Sequence, residues 1–212
     1  MSTVITSYRV GPIDHGRIVT AEEYLHLEVE PGYQCELARG VLEVTYIPAE
    51  AHALLICFFY DALSEYRRAH PGLIFLFGGS NEFHFWLPEL LSGRNPDVAV
   101  ALRGTERDYL GHTMASLAIE IVSPGEEARV RDHAAKREEY LLYGLKEYWI
   151  VDRFTRQVIV LSRQNDSWME QILDREDQFA ESRILPEFTV QLAELWATAE
   201  QSRENPAIDE NS

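Results

Sequence analysis

Between residues 49 and 70 the apolar side chains Leu54, Leu55, Phe58, Phe59, Ala62, Leu63 and Tyr66 recur three and four positions apart, and Pro71-Gly72 follows. That spacing predicts one long helix with an apolar face, closed by the Pro-Gly pair. Before it, YQCELARGVLEVTYI alternates in polarity around Arg39-Gly40, the pattern of a β-hairpin in which glycine supplies an unusual backbone dihedral. Thr20 precedes AEEYLHLEVE with Glu23 three residues on, a capping box that opens a short helix ending near Pro31-Gly32. After the long helix, LIFLFG, EFHFWL, PDVAVAL and SLAIEIVSP read as strands; the last two are almost wholly apolar, hence buried on both faces, and Pro124 stops the fourth. GEEARVRDHAAKREEYLLYG predicts a charged amphipathic helix that offers Val130, Ala134, Tyr140 and Leu141 to the core and ends at Gly144. LKEYWIVD, QVIVLSR and SWMEQIL follow as strands, and FTVQLAELWATAE closes with a short helix.

The pattern shows neither a repeat nor a linker, so the expected organisation is one domain over residues 17–199. An irregular arm at 1–16 would precede it, and an acidic, disordered tail at 200–212 would follow. With 212 residues, 46% of them hydrophobic and 25% charged, the chain has the composition of a folded globular domain rather than of disorder. Its two cysteines, Cys35 and Cys57, form no CxxC or Cys/His cluster, which fits a reducing compartment and points away from a structural zinc. The chain's start has no charged segment leading into an apolar one, and the longest apolar run, residues 53–60, is too short to span a bilayer. A cytoplasmic protein with no membrane contact is therefore expected. The net charge of -16 argues against a broad phosphate-binding surface, which would need an excess of Lys and Arg. P-loop, GxGxxG and GxSxG sequences are absent.

Two acids stand out against this background. Asp97 opens the apolar stretch PDVAVAL, and Glu120 sits inside AIEIV. A buried carboxylate is costly unless something compensates its charge. A divalent cation such as Mg2+ or Mn2+, which takes oxygen ligands, would do so. Salt bridges to Arg94 or Lys136 would do so equally. Lys136 lies on the helix after the Glu120 strand, with Asp132 one turn before it. It could stabilise charge on an attacked phosphate, or it could form an exposed i,i+4 pair with Asp132 on a solvated face.

The words YQCELARGVLEV, HALLICFF, RNPDVAVAL, AIEIVSP, DHAAK and YLLYGLKEYWIVD, in that order, span residues 33–152. Together they resemble the PD-(D/E)XK nuclease superfamily and, within it, a bacterial restriction-endonuclease-like family in which the catalytic lysine is relocated to the following helix. The resemblance implies an α/β (α+β) fold: a mixed central sheet flanked by helices, with an N-terminal β-hairpin. It implies Asp97 and Glu120 as metal ligands, joined by the backbone carbonyl of Ile121. Val122 stands where the superfamily usually has its lysine, and Lys136 matches the relocated position. Glu36 matches the acidic residue of the family's hairpin, as a third ligand or a base for the attacking water; its bland role is a salt bridge with Arg39 or Arg94. His52, near the start of the long helix, reads as a surface or capping histidine rather than a catalytic one. Tyr148 and Trp149 read as core residues, Asp152 as the residue that turns the chain after its strand, and Phe83, Phe85 and Trp86 as a core or dimer face.

The expected activity is that of a Mg2+- or Mn2+-dependent endonuclease cleaving DNA, acting as a homodimer and directed to its target by a protein partner or another surface. Two alternatives stay open: a binding or assembly protein on the same fold that does not cleave, which suits the acidic surface and Val122, and a hydrolase of RNA or a smaller phosphate ester.

Overall fold

The computed structural model describes residues 9–47, 49–108 and 110–202; the first eight residues of the expected arm and residues 203–212 of the expected tail lie outside them. The chain divides into two compact units, residues 1–47 with 84–95, and residues 48–83 with 96–212. The first unit contributes β1 (Arg9–Val10), α1 (Ala21–Leu25), β2 (Glu28–Val29), β3 (Tyr33–Ala38) and β4 (Val41–Tyr46). The second opens with α2 (Glu50–Ala69) and β5 (Ile74–Gly78), and the chain then returns to the first for β6 (Phe85–Leu87) and β7 (Ser92–Arg94). The rest belongs to the second: β8 (Val98–Leu102), β9 (Leu117–Ile121), α3 (Glu126–Val130), a π turn (Arg131–Ala135), α4 (Lys136–Tyr143), β10 (Glu147–Asp152), β11 (Gln157–Gln164), β12 (Ser167–Leu173), β13 (Phe179–Glu181), β14 (Thr189–Gln191) and α5 (Leu192–Ala199).

In the first unit the capping box forms as expected: Thr20 Oγ1 accepts from Glu23 N at 3.2 Å, and Glu23 Oε2 accepts from Thr20 N at 2.7 Å. The hairpin also forms, with β3 and β4 paired from Tyr33↔Tyr46 to Ala38↔Val41 and with Arg39 and Gly40 both at positive φ. Its sheet runs β4-β3-β7-β6, and Val10, Val19, Leu37, Leu42, Val44 and Trp86 pack beneath it. Two readings change. The segment at 1–16 is not wholly irregular, since β1 pairs in parallel with β2. The strand expected over EFHFWL is only three residues long, and its partner β7, sequence SGR, carries none of the β-branched or aromatic residues that mark strands. Gly93 in β7 lies so close under Tyr24 that an added Cβ would meet the ring at 2.6 Å.

The second unit is built on a six-stranded sheet in the order β12-β11-β10-β9-β8-β5. Its neighbours are antiparallel except β9 and β10, which run parallel with Glu120 opposite Ile150. A parallel pair cannot be joined by a tight hairpin, so the chain crosses from β9 to β10 through α3, the π turn and α4. The long helix α2 buries Leu55, Phe59, Leu63 and Tyr66, as its spacing predicts, while Leu54 and Phe58 are only half-buried. Phe59 meets Trp149 edge-on at 6.2 Å, tying α2 to the centre of the sheet among Val98, Val100, Leu117, Ile119 and Val151. Cys35 is buried, and Cys57 is exposed on α2. Among the described residues no helix is long and apolar enough to cross a membrane.

The crossover helix departs most from its sequence pattern. Val130 is 56% exposed and Ala134 is exposed, whereas Asp132, Lys136, Glu139, Tyr140 and Tyr143 are buried. The cause is the π turn, in which Lys136 N bonds to Arg131 O, five residues back. One residue more than an α-turn holds shifts the phase of the downstream helix by about 100° relative to the upstream one. The apolar arc drawn at an uninterrupted 3.6-residue period therefore points the wrong way. Gly144, at φ 101°, then ends α4 as expected, donating to the carbonyls of Tyr140 and Leu141.

Candidate functional site

Asp97 stands immediately before β8, with its carboxylate held from two sides. Oδ2 accepts the backbone N–H of Ile121 in β9 at 2.8 Å, a contact made possible because β8 and β9 pair with Val98 opposite Ile119. Oδ1 lies 3.0 Å from Nε2 of His52, in the first turn of α2. That nitrogen is buried and has no aligned hydrogen-bond partner, so the two atoms are close without the ring N–H pointing at the carboxylate. Burial by itself would raise the Asp97 carboxyl, but the facing His52, the Lys136 charge and the Ile121 N–H outweigh it and hold the group below the ordinary aspartate range. It carries a full negative charge at neutral pH.

Glu120, in the middle of β9, is almost wholly out of solvent. Its Oε2 meets Nζ of Lys136 at 3.0 Å, and its Oε1 accepts from the hydroxyl of Tyr140. Lys136 also lies 3.6 Å from Oδ1 of Asp132, which Arg131 Nε approaches at 3.2 Å, and Asp132 passes its main-chain carbonyl to the Tyr148 hydroxyl at 3.0 Å. Asp132, Lys136 and Tyr140 follow one another at four-residue steps and form one face of the crossover helix, set over β9 and β10. Burial, followed by the negative charges of Glu120, Asp132 and Asp97, pushes the Tyr148 hydroxyl well above its usual value, so it is a permanent donor.

Some expectations are met here and others are not. Glu120 takes Lys136 as its ion partner; Asp97 takes His52 rather than Arg94. The Lys136–Asp132 pair is present but buried, not solvated, because the π turn delivers both residues to the inner face. His52 is 4% exposed and is neither a surface nor a capping residue. Its signal was available: positions 52, 55, 59 and 63 fall on the same helical face as Leu55, Phe59 and Leu63, so an ionisable residue there had to point inward. Tyr140, expected in the core, also donates its hydroxyl to Glu120, and its place one turn after Lys136 marks it as a companion of that side chain. Glu36 belongs to the first unit, where its oxygens meet Arg94 Nη1 at 3.2 Å and the backbone N–H of Asn95 at 2.8 Å, the ion pair its sequence reading allowed. Arg94 is fully buried and also meets Glu43 at 2.5 Å. Tyr148 and Trp149 lie in the core and Phe83, Phe85 and Trp86 are buried, while Asp152 Oδ1 accepts from Phe154 N and Thr155 N in the turn after β10.

Three carboxylates, Asp97, Glu120 and Asp132, thus share this region with Lys136 as the buried ammonium and His52 as the buried imidazole. Among the described residues no three His, Cys, Asp or Glu side chains are gathered on one point as a ready metal cage. The donors nevertheless suit a divalent cation in kind: carboxylate oxygens in a low-dielectric setting, plus a buried imidazole nitrogen with bonding capacity left.

No curated protein matches the chain. Among solved structures, one that matches is the crystal structure of a protein titled a putative nuclease belonging to DUF820, from Anabaena variabilis ATCC 29413. It is 15% identical in sequence, with a TM-score of 0.66 over 85% of this chain and 99% of that one. At that identity the likeness establishes a shared fold. The model of the family Uma2, described as "putative restriction endonuclease", matches residues 21–193, which include every residue of the candidate site. The chain belongs to the Uma2 family.

Proposed function

We propose that the chain is a divalent-metal-dependent nuclease that hydrolyses phosphodiester bonds in DNA, with Asp97 and Glu120 as the acids that hold Mg2+ or Mn2+, assisted by the Ile121 carbonyl. The observation that carries the reading is Lys136: an ammonium almost without solvent contact, 3.0 Å from Glu120, supplied by the crossover helix although the strand position after Ile121 is taken by Val122. A lysine is not buried among acids for packing alone, since desolvating its charge costs several kcal/mol, on the order of what a close partner returns. A bound divalent ion would supply a water of lowered pKa and neutralise the phosphate. Asp97, ionised and fixed by Ile121 N–H, presents its oxygens in one orientation. Lys136 holds positive charge beside Glu120, where it can meet a non-bridging phosphate oxygen as charge builds there. Tyr140, by hydrogen-bonding Glu120 Oε1, keeps that carboxylate from turning away. Cleavage of both strands would call for two copies of the chain.

A second reading, a binding or assembly protein that does not cleave, is favoured by the net charge of -16 and by the way Lys136 and Tyr140 already occupy both oxygens of Glu120. Purified protein incubated with plasmid and single-stranded DNA in Mg2+ or Mn2+ separates the two. The nuclease reading expects cleavage that disappears in Asp97→Ala and Glu120→Ala. Equal cleavage by the mutants, or none by the wild type with either metal, sinks it.

A further inference from the structure

The metal-site reading leaves one buried atom unexplained, Nε2 of His52. It sits 3.0 Å from Asp97 Oδ1, lacks an aligned hydrogen bond, and is carried by a helix face that Leu55, Phe59 and Leu63 fix in the core. A buried polar atom without a partner costs free energy, and such atoms persist where a ligand completes them. We propose that His52 is a nitrogen ligand to the same cation that Asp97 holds, and that this makes the site select a first-row transition ion such as Mn2+ over Mg2+. The proposal rests on the metal-site reading above and adds a donor and an ion preference to it.

Three observations favour it. The 3.0 Å separation without N–H···O alignment sets a nitrogen and an oxygen donor side by side, the arrangement of two donors that face a common guest. Glu120 has both oxygens engaged, by Lys136 and Tyr140, so the Asp97–His52 pair is the more open half of the site. Finally, His52 stands in the first turn of a 20-residue helix, and Leu55, Phe59 and Leu63 on the same face are buried. An imidazole donor changes the chemistry of an otherwise all-oxygen site. Mg2+ demands hard oxygen ligands in near-ideal octahedral geometry, whereas transition ions accept nitrogen, and increasingly so along the series from Mn2+.

The test is metal binding to the full chain, with metal alone as the probe. Calorimetric titration with Mn2+ and with Mg2+ should give at least about tenfold tighter binding of Mn2+, and His52→Gln should remove most of that preference while Mg2+ binding changes little. Electron spin-echo spectroscopy of the Mn2+-loaded wild type should show nitrogen coupling that changes on 15N-histidine labelling and is lost in His52→Gln. The labelled wild type shows whether any of the 7 histidines binds the ion, and His52→Asn assigns the coupling to position 52 if His52→Gln folds poorly. Tight Mn2+ binding that depends on Asp97 but has no histidine coupling overturns the ligand role of His52 and leaves the metal site standing. Wild-type protein that binds neither ion overturns both.

Discussion

The ammonium of Lys136 on α4 lies 3.0 Å from Glu120 Oε2 in β9, with both side chains no more than 4% exposed. The sequence places these residues on different elements, and a π turn is what lets the helix present the lysine to the strand. Because the pair is dry, it bears on stability as well as on activity.

Replacing the lysine should expose that dependence. Lys136→Met leaves Glu120 and Asp132 buried beside a methylene chain, and loss of one partner of a buried pair costs about 3–5 kcal/mol. Urea denaturation should register that loss, and adding Glu120→Gln to the same chain should recover part of it. A Lys136→Met protein as stable as wild type would mean that other groups carry the charge balance. DNA cleavage, if present in the wild type, should vanish in Lys136→Met and be retained in part by Lys136→Arg.

Tyr140→Phe removes the hydroxyl that donates to Glu120 without changing the buried volume appreciably. A hydrogen bond to a charged acceptor contributes about 1.5–3 kcal/mol, and that loss should appear as a lower urea midpoint with an unchanged m-value. Tyr148→Phe, which frees only a main-chain carbonyl of Asp132, should cost less.

Two acids should shape the pH dependence of stability in opposite senses. Asp97 has its folded pKa below the unfolded value of about 3.9, because its partners outweigh burial; its contribution is present above that pH and is lost as the solution is acidified through the folded value. Glu147 is raised by burial despite hydrogen bonds from Arg183 N and Trp149 Nε1, so it stabilises most when protonated and its contribution falls as pH rises from about 4.5 through the folded value. Urea midpoints measured at a series of pH values should therefore drop less on acidification in Asp97→Asn than in wild type. A steeper acid limb in Asp97→Asn would contradict the assignment.

Gly144 closes α4 at φ 101°, with nothing within 4 Å of where a Cβ would stand. Gly144→Ala should thus cost only the backbone strain of a left-handed residue, about 1–2 kcal/mol, visible in thermal unfolding. The ion pair at Lys136 should be left intact.

Much of this architecture was legible in the chain. Thr20 and Glu23 announce a helix start, Arg39-Gly40 a hairpin, and the 3.6-residue recurrence of Leu55, Phe59, Leu63 and Tyr66 a core helix, because each rests on short-range sterics that the local sequence determines. What escaped depends on long-range partners. β7 is a strand only because β3 and β6 lie on either side of it, and Arg94 is buried only because Glu36 and Glu43 meet it. The burial of Asp132 and Lys136 was hidden by a one-residue insertion in helix phase that no composition signals. At the candidate site Asp97, Glu120 and Lys136 are legible as words in order, and His52 is legible from its helical register with Leu55.

The one parallel pairing of the six-stranded sheet, β9 with β10, has a mechanical consequence. Glu120 is fixed by the hydrogen-bond ladder of the sheet, but Lys136 rides on the connector that spans it, so their separation is governed by the path length from Ser123 to Ala135 and not by strand register. The connector works as a tether of set length: adding or removing a residue ahead of the π turn would swing the ammonium around the helix axis while every strand kept its place. A fold with its base charge on such a strap can gain, lose or reposition that charge without rebuilding the sheet that holds the acids.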